Sequence, residues 1–180
     1  RYMARNIGGL AADFTYIDHG PPAPHVVPSL SGLTARGFRV RLGRGDPNEN
    51  TTRSNGWGSD AHVPLHSNAF GSAPGTCTSR TGGSRGTVQI YNQGDGSVLP
   101  TRLKNQLDGI TPGGNDKTCT PISECTPFDC VVELCGISAA AASYSETEFH
   151  DWDNGTKFLV NDDIDAGVKI ATAIDNHYGG

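Results

Sequence analysis

The spacing of apolar residues predicts strands that alternate with helices along most of the chain. In FRVRLG (38–43) apolar residues alternate with arginines, which is the period-two pattern of a half-buried strand. Comparable patterns predict strands at AHVPLHSNA (61–69) and TVQIYN (87–92), and helices at PTRLKNQLDGI (100–110) and residues 162–178. The alternation indicates an α/β fold, with a mixed, mostly parallel sheet flanked by helices on both faces.

Three further segments carry weaker patterns. The opening YMARNIGGLAADF (2–14) has apolar residues at helical intervals and predicts a helix, although two glycines weaken it. SLSGLTARGF (29–38) predicts a short helix that ends at Gly37, and CVVEL (130–134) predicts a strand. The prolines between residues 21 and 28 exclude regular structure there.

Length and composition narrow the class of protein. A chain of 180 residues fits one domain, 1–180, and 24 glycines with 11 prolines indicate many loops. The net charge is −5 and the arginines are scattered, so we expect no nucleic-acid partner.

No apolar run reaches the roughly 18 residues of a membrane span. RYMARNIGG lacks the features of a signal peptide, and the start at Arg predicts a processed form or a fragment. We expect a monomer.

The cysteines indicate disulfides rather than a zinc ribbon. Cys119, Cys125, Cys130 and Cys135 are separated by five, four and four residues, without the CxxC pairs of structural zinc sites. Two disulfides are predicted in this segment, with three possible pairings; alternatively Cys77 joins the network and leaves one of the four free. Disulfides of this kind indicate a secreted protein, extracellular or associated with the cell wall.

Several histidines are candidates for binding a metal. His62 and His66 would lie about 13 Å apart along an extended strand, so at most one of them can bind a given ion. His66 is favoured because it lies near the end of its strand, whereas His62 is interpreted as a hydrogen-bonded core residue. His19, in IDHG, and His25, in the proline-rich segment, supply two more imidazoles. Hydrolytic zinc sites use three protein ligands and a water, so this set predicts Zn2+; the alternative is solvent-exposed loop histidines.

A carboxylate near the metal would complete a hydrolytic site. The segment SETEFH (145–150) follows an alanine-rich run and contains Glu146 and Glu148. Either side chain could take a proton from water and pass it to a leaving amine. The alternative interpretation is two solvated surface glutamates.

Six motifs follow one another in a characteristic order: GFRVRLGR (37–44), RSN (53–55), PLHSNA (64–69), RGTVQIY (85–91), YSETEFHDW (144–152) and AGVKIATAIDNHYG (166–179). Together they resemble the zinc-dependent N-acetylmuramoyl-L-alanine amidases of the Amidase_3 type. Pro64 stands where that family usually has a serine two residues before its histidine. The resemblance covers about four fifths of the chain, from Gly37 onwards.

The resemblance implies an activity and a set of site residues. It implies a secreted enzyme that hydrolyses the bond between the lactyl group of N-acetylmuramic acid and L-alanine, in peptidoglycan or muropeptides. Glu146 takes the catalytic position because Phe149 follows it by three residues, as in the family's motif. His66 and His19 correspond to zinc ligands, and no cofactor besides Zn2+ is implied.

Residues 1–36 fit the family poorly. Its members have a glutamate ligand at the start of a long helix, but this chain has no glutamate before Glu49. His25 is the nearest replacement and Asp18 a weaker one, unless the third ligand lies elsewhere. Two other functions remain open: a zinc peptidase or carboxypeptidase acting on peptidoglycan stem peptides, and a non-catalytic domain that binds cell wall or sugars.

Overall fold

The structure, a computed structural model, describes residues 5–7, 10–18, 32–44, 46–68, 85–92, 96–120 and 130–179. The strands in these ranges are β1 (Arg5–Ile7), β2 (Leu10–Asp18), β3 (Arg39–Arg44), β4 (Ala61–His62), β5 (Leu65–Asn68), β6 (Val88–Ile90), β7 (Lys117–Cys119), β8 (Ala141–Ala142) and β9 (Tyr144–Phe149). The helices are α1 (residues 32–35), α2 (Pro47–Trp57), α3 (Val98–Asp108), α4 (Asp153–Asn161) and α5 (Asp163–His177).

Most of the strand pairs are parallel. β2 pairs in parallel with β3 and with β4, β4 with β8, β5 with β9, and β6 with β7. The pairs β1–β2 and β6–β9 are antiparallel. The predicted mixed, mostly parallel sheet is therefore confirmed.

The strands form two sheets, one of β1, β2, β3, β4 and β8 and one of β5, β6, β7 and β9. Two paired segments run side by side from the first sheet into the second as a ladder. β4 and β5 follow each other within residues 61–68, and β8 and β9 do so within 141–149. Between the two pairs, Ser143 N donates to His62 O at 3.1 Å and Ser145 N donates to Pro64 O at 2.9 Å. The predicted strand at 61–69 is thus confirmed, with an irregularity at Val63 and Pro64.

Helices cover both faces of this ladder because its side chains alternate. Ala61, Val63 and Leu65 lie in the main core with residues of α3 and α5. His62 points to the opposite face, where its Nδ1 lies 3.0 Å from Ser54 Oγ of α2. The predicted flanking helices, at 100–110 and 162–178, are confirmed as α3 and α5.

Two predicted elements are wrong. Residues 2–14 were expected to form a helix, but β1 and β2 occupy this region. β-Prone residue types at 14–17 (FTYI) and backbone pairing with β3 and β4 explain the difference. CVVEL was expected to be a strand, but residues 132–136 form turns. The disulfide Cys130–Cys135 holds its Cα atoms 5.8 Å apart, whereas an extended chain would separate them by about 16 Å.

Helices α2 and α4 were not predicted. α2 has a polar composition and no helical spacing of apolar residues, so its position is set by the capping residues at its two ends. Asp46 accepts hydrogen bonds from Asn48 N at 2.8 Å and Glu49 N at 3.2 Å, and Pro47 opens the helix. Gly58 closes it with a φ of 68°. Among the described residues, no helix is long and apolar enough to cross a membrane.

The disulfides are partly as predicted. Cys130 pairs with Cys135, one of the pairings that the sequence left open. Cys119 is also disulfide-bonded, and its partner lies outside the described residues. Cys77 and Cys125 lie outside them as well.

We expect His62 to make the fold acid-sensitive. Burial lowers the pKa of His62 from 6.5 to about 4, although the backbone and charge of Glu133 partly offset this effect. The folded protein therefore disfavours protonation, and stability present above pH 6.5 is lost as the pH falls towards 4. Between these limits the loss amounts to about 3 kcal/mol. The free energy of unfolding of the native protein and of His62→Asn can be measured with urea from pH 7.5 to 4. As the pH falls, this free energy should decrease less steeply for the variant. If the free energies of unfolding of the two proteins decrease equally with pH, His62 does not cause the acid sensitivity.

Candidate active site

Strand pairing brings two predicted site residues together. β5 and β9 run in parallel, with His66 directly opposite Glu146. Neighbouring residues in register project from the same face of a sheet. His66 is the second residue of β5 and Glu146 the third of β9, so both project from the middle of the paired strands.

The His66 ring is held by an aromatic and an acidic side chain. It stacks on Tyr144, with ring centroids 4.4 Å apart and planes inclined by 13°. Its Nε2 lies 3.3 Å from Glu133 Oε1, and 19% of its side chain is exposed. The ring is therefore fixed in orientation, and part of the side chain is accessible although Nε2 itself is buried.

Glu146 lies in a low-dielectric environment. Burial raises its pKa from 4.5 to about 7, and the charge of Glu133 adds to this effect. The charge of His66 and a hydrogen bond from Tyr144 act in the opposite direction. Its Oε2 is buried without a hydrogen-bond partner among the described residues. A carboxyl group with a pKa near neutrality can both accept and return a proton at pH 7.

Glu133 is a third member of this cluster. Its side chain is only 5% exposed, although it belongs to a turn rather than to a strand. The disulfide Cys130–Cys135 closes that turn, and Val131 O accepts hydrogen bonds from Leu134 N at 2.8 Å and Cys135 N at 3.0 Å. The turn thus fixes the backbone that carries the carboxylate.

Neighbouring elements attach the turn to the sheet and to α2. Asn92, just after β6, donates from Nδ2 to Leu134 O at 2.9 Å. Asn55 of α2 donates to Gly136 O at 2.7 Å and accepts from Ser138 N at 2.7 Å. The asparagine of the RSN motif therefore positions the segment that carries Glu133.

Glu148, the other candidate for the catalytic carboxylate, is bonded to backbone amides. Its oxygens accept hydrogen bonds from Gly86 N at 3.2 Å, Gly113 N at 3.0 Å and Phe149 N at 2.8 Å. It is fully buried. These contacts tie the end of β9 to the segments before β6 and β7, which is a structural role.

The remaining predicted ligands fall outside the description. His19 and His25 lie outside the described residues, and of Asp18 only the backbone is described. β2 ends at Asp18, and it runs parallel to β4 with Thr15 opposite His62. His19 is therefore the next residue in sequence after a strand that ends at the same edge as β5. Within the described ranges, no group of three or more His, Cys, Asp or Glu residues could hold a metal.

The described donors nevertheless suit zinc as a pair. Zinc in proteins binds imidazole nitrogen at about 2.0–2.1 Å and carboxylate oxygen at about 2.0–2.2 Å in tetrahedral geometry. Two such ligands lie about 3.3–3.5 Å from each other. The 3.3 Å between His66 Nε2 and Glu133 Oε1 falls within that range.

Sequence reasoning missed Glu133 and Tyr144. The available signal for Glu133 was its setting in CVVELC, where apolar residues and two cysteines enclose a single carboxylate. A charged group in such a setting requires a partner when it is buried. For Tyr144 the signal was its position two residues before Glu146, on the same face of the strand.

Comparisons with solved structures show which known proteins share this fold. No family model matches the sequence, and no curated protein matches it by sequence similarity. Solved structures do match: the chain has the fold of N-acetylmuramoyl-L-alanine amidase catalytic domains, as the sequence motifs predicted. At identities of 11–16% these matches establish the fold.

Three of the matching structures show the extent of the similarity. N-acetylmuramoyl-L-alanine amidase AmiC2 of Nostoc punctiforme matches with a TM-score of 0.71 and 15% identity, over 92% of this chain and 96% of that chain. Ami1 from Mycobacterium smegmatis matches with a TM-score of 0.68 and 13% identity, over 93% and 97%. Cwp6 from Clostridium difficile matches with a TM-score of 0.71 and 16% identity, and this chain covers 30% of its length.

We expect substitution of Gly113 to destabilise the fold near β9, because Gly113 N donates a hydrogen bond to Glu148 of that strand. A Cβ at this position would meet the carbonyl carbon of Arg85 and the nitrogen of Gly86, whereas a Cβ at Gly114 meets nothing within 4 Å. Gly113→Ala should therefore lower the free energy of unfolding by about 1–3 kcal/mol. Gly114→Ala, the matched control, should leave it unchanged or raise it by about 0.5 kcal/mol. Chemical denaturation compares the two, and equal stabilities would refute the close packing described here.

Proposed function

We propose that this protein is a zinc-dependent hydrolase of the amide bond between N-acetylmuramic acid and L-alanine in peptidoglycan. The observation that carries the proposal is the juxtaposition of His66 and Glu146, opposite each other on two parallel strands of an amidase fold. His66, His19 and His25 are the zinc ligands that the sequence motifs and residue types suggest. A secreted monomer acting on peptidoglycan or muropeptides accords with this assignment and with the disulfides.

Glu146 performs the proton transfers in the proposed reaction. Held by His66 with the other ligands, zinc would supply Lewis acidity for the scissile carbonyl and the attacking water. Glu146 takes the proton of the attacking water through its carboxylate, and then delivers it to the amine of the departing L-alanine. A pKa of about 7 fits both steps near neutral pH, since the group is then neither a very weak base nor a very weak acid.

Tyr144 supports this chemistry from the face that carries His66 and Glu146. Tyr144 holds the His66 ring by stacking and hydrogen bonds to Glu146, so one side chain orients both groups. The rigid arrangement reduces the reorganisation that the groups must undergo during the reaction.

The first test is metal content together with product chemistry. The purified protein should contain about one zinc per chain, and a chelator should remove zinc and hydrolysis together. Muropeptide fragments should then show a free lactyl carboxylate on muramic acid and a free amine on L-alanine. Cleavage within the stem peptide instead would identify a peptidase. A protein that takes up no zinc and hydrolyses nothing would favour a non-catalytic binding domain.

Removing the proton carrier should separate chemistry from metal binding. Glu146→Gln keeps the shape of the side chain but cannot accept a proton from water, so turnover of muropeptides should fall by about 100- to 10,000-fold. Its zinc content should equal that of the native protein. Glu49→Gln, an exposed change on α2, serves as the control and should retain full turnover. Undiminished turnover in Glu146→Gln would remove Glu146 from the mechanism.

A further inference from the structure

We propose that Glu133 is the carboxylate ligand of the zinc site, in the role of the glutamate that residues 1–36 do not contain. The inference rests on the proposed function, because it concerns the same metal. It pairs Glu133 with His66 as ligands and makes His25 dispensable, while His19 stays a prediction from the sequence. The acidic ligand would then come from the segment between β7 and β8 rather than from the beginning of the chain.

The first argument is the distance between the donor atoms. Glu133 Oε1 and His66 Nε2 lie 3.3 Å apart, which suits two ligands of one tetrahedral zinc. Different contacts hold the two side chains: Tyr144 stacks on the imidazole, and a disulfide-closed turn carries the carboxylate.

The second argument is the burial of the carboxylate. Glu133 is 5% exposed although a turn carries it, and its Oε1 faces the ring of His66. A buried carboxylate and the imidazole that it faces supply two of the three protein donors that a catalytic zinc site uses.

The third argument is the face on which the turn lies. Val131, at the start of the turn, packs with Val88 and Ile90 of β6 and with Tyr144. In the sheet, Ile90 is opposite Tyr144 and Val88 is opposite Glu146. The turn therefore covers the face from which Glu146 and His66 project, and it presents Glu133 to them from above the sheet.

This ligand set leaves the other carboxylate free for chemistry. Catalytic zinc sites use three protein ligands and keep one position open. Among the described residues, Glu133 and His66 supply two of these ligands without using Glu146. Glu146 then remains available for proton transfer, in agreement with its proposed role.

The test measures zinc affinity rather than activity. Apo protein is prepared from the full chain by chelation, and the Zn2+ dissociation constant is measured by competition with a chromophoric chelator. Glu133→Gln should weaken zinc binding by more than about 100-fold, beyond the 10- to 100-fold effect of outer-shell partners. His25→Ala and the exposed control Glu49→Gln should both bind within about threefold of the native protein, a margin well below the outer-shell effect.

A replacement ligand distinguishes direct coordination from indirect support. Glu133→His should recover most of the zinc affinity, and its Co2+ complex should show a shifted visible absorption because nitrogen has replaced oxygen. Far-UV circular dichroism establishes that each apo variant is folded. If Glu133→Gln is unfolded, the comparison of Glu133→His with Glu133→Asp decides the matter, since only the histidine variant should bind tightly with an altered Co2+ spectrum.

The outcomes separate this inference from the proposed function. Native-like zinc binding in Glu133→Gln, or a loss of affinity with no spectral change in Glu133→His, would overturn the ligand assignment. Loss of zinc in His25→Ala alone would restore His25 as the third ligand, and the zinc amidase would stand. Failure of the native protein itself to bind zinc would overturn the proposed function together with the inference.

Discussion

The parallel pairing of residues 60–68 with 141–150 is the interaction on which the rest of the structure depends. Backbone hydrogen bonds run along it from Ala141 N to Asp60 O, at 3.1 Å, through to His150 N and Asn68 O, at 2.9 Å. One face of this ladder contributes to the core beneath α3 and α5. The other face carries His66 and Glu146 in register. A slip of one residue would exchange the two faces, so the core and the candidate site are specified together.

The polar side of the ladder is ordered by packing as much as by hydrogen bonds. Tyr144 contacts His66 through its ring, and it belongs to the small apolar cluster that includes Val131. The same cluster seats the turn that bears Glu133. Apolar burial thereby helps to hold three ionisable side chains, His66, Glu133 and Glu146, at short range.

The sequence allowed the fold class, α3, α5 and the strands next to the site to be predicted, because their patterns are periodic. His66 and Glu146 were nominated from motifs, and the structure brings them together. α2 was missed because its ends, Asp46 and Gly58, define it while its composition is polar. Glu133 was missed because a cross-link bends its segment into a turn, and the connectivity of cysteines cannot be deduced from their spacing. His19 and His25 stay predictions.

The six-residue loop closed by Cys130 and Cys135 links the candidate site to the redox state of its surroundings. The bond persists where thiols are oxidised, and reducing compartments oppose it. Reduction to two thiols would remove the covalent closure and leave the hydrogen bonds to Val131 O, Leu134 O and Gly136 O to hold the turn. The position of Glu133 relative to His66 is therefore coupled to the oxidation state of two cysteines that touch neither side chain's donor atom.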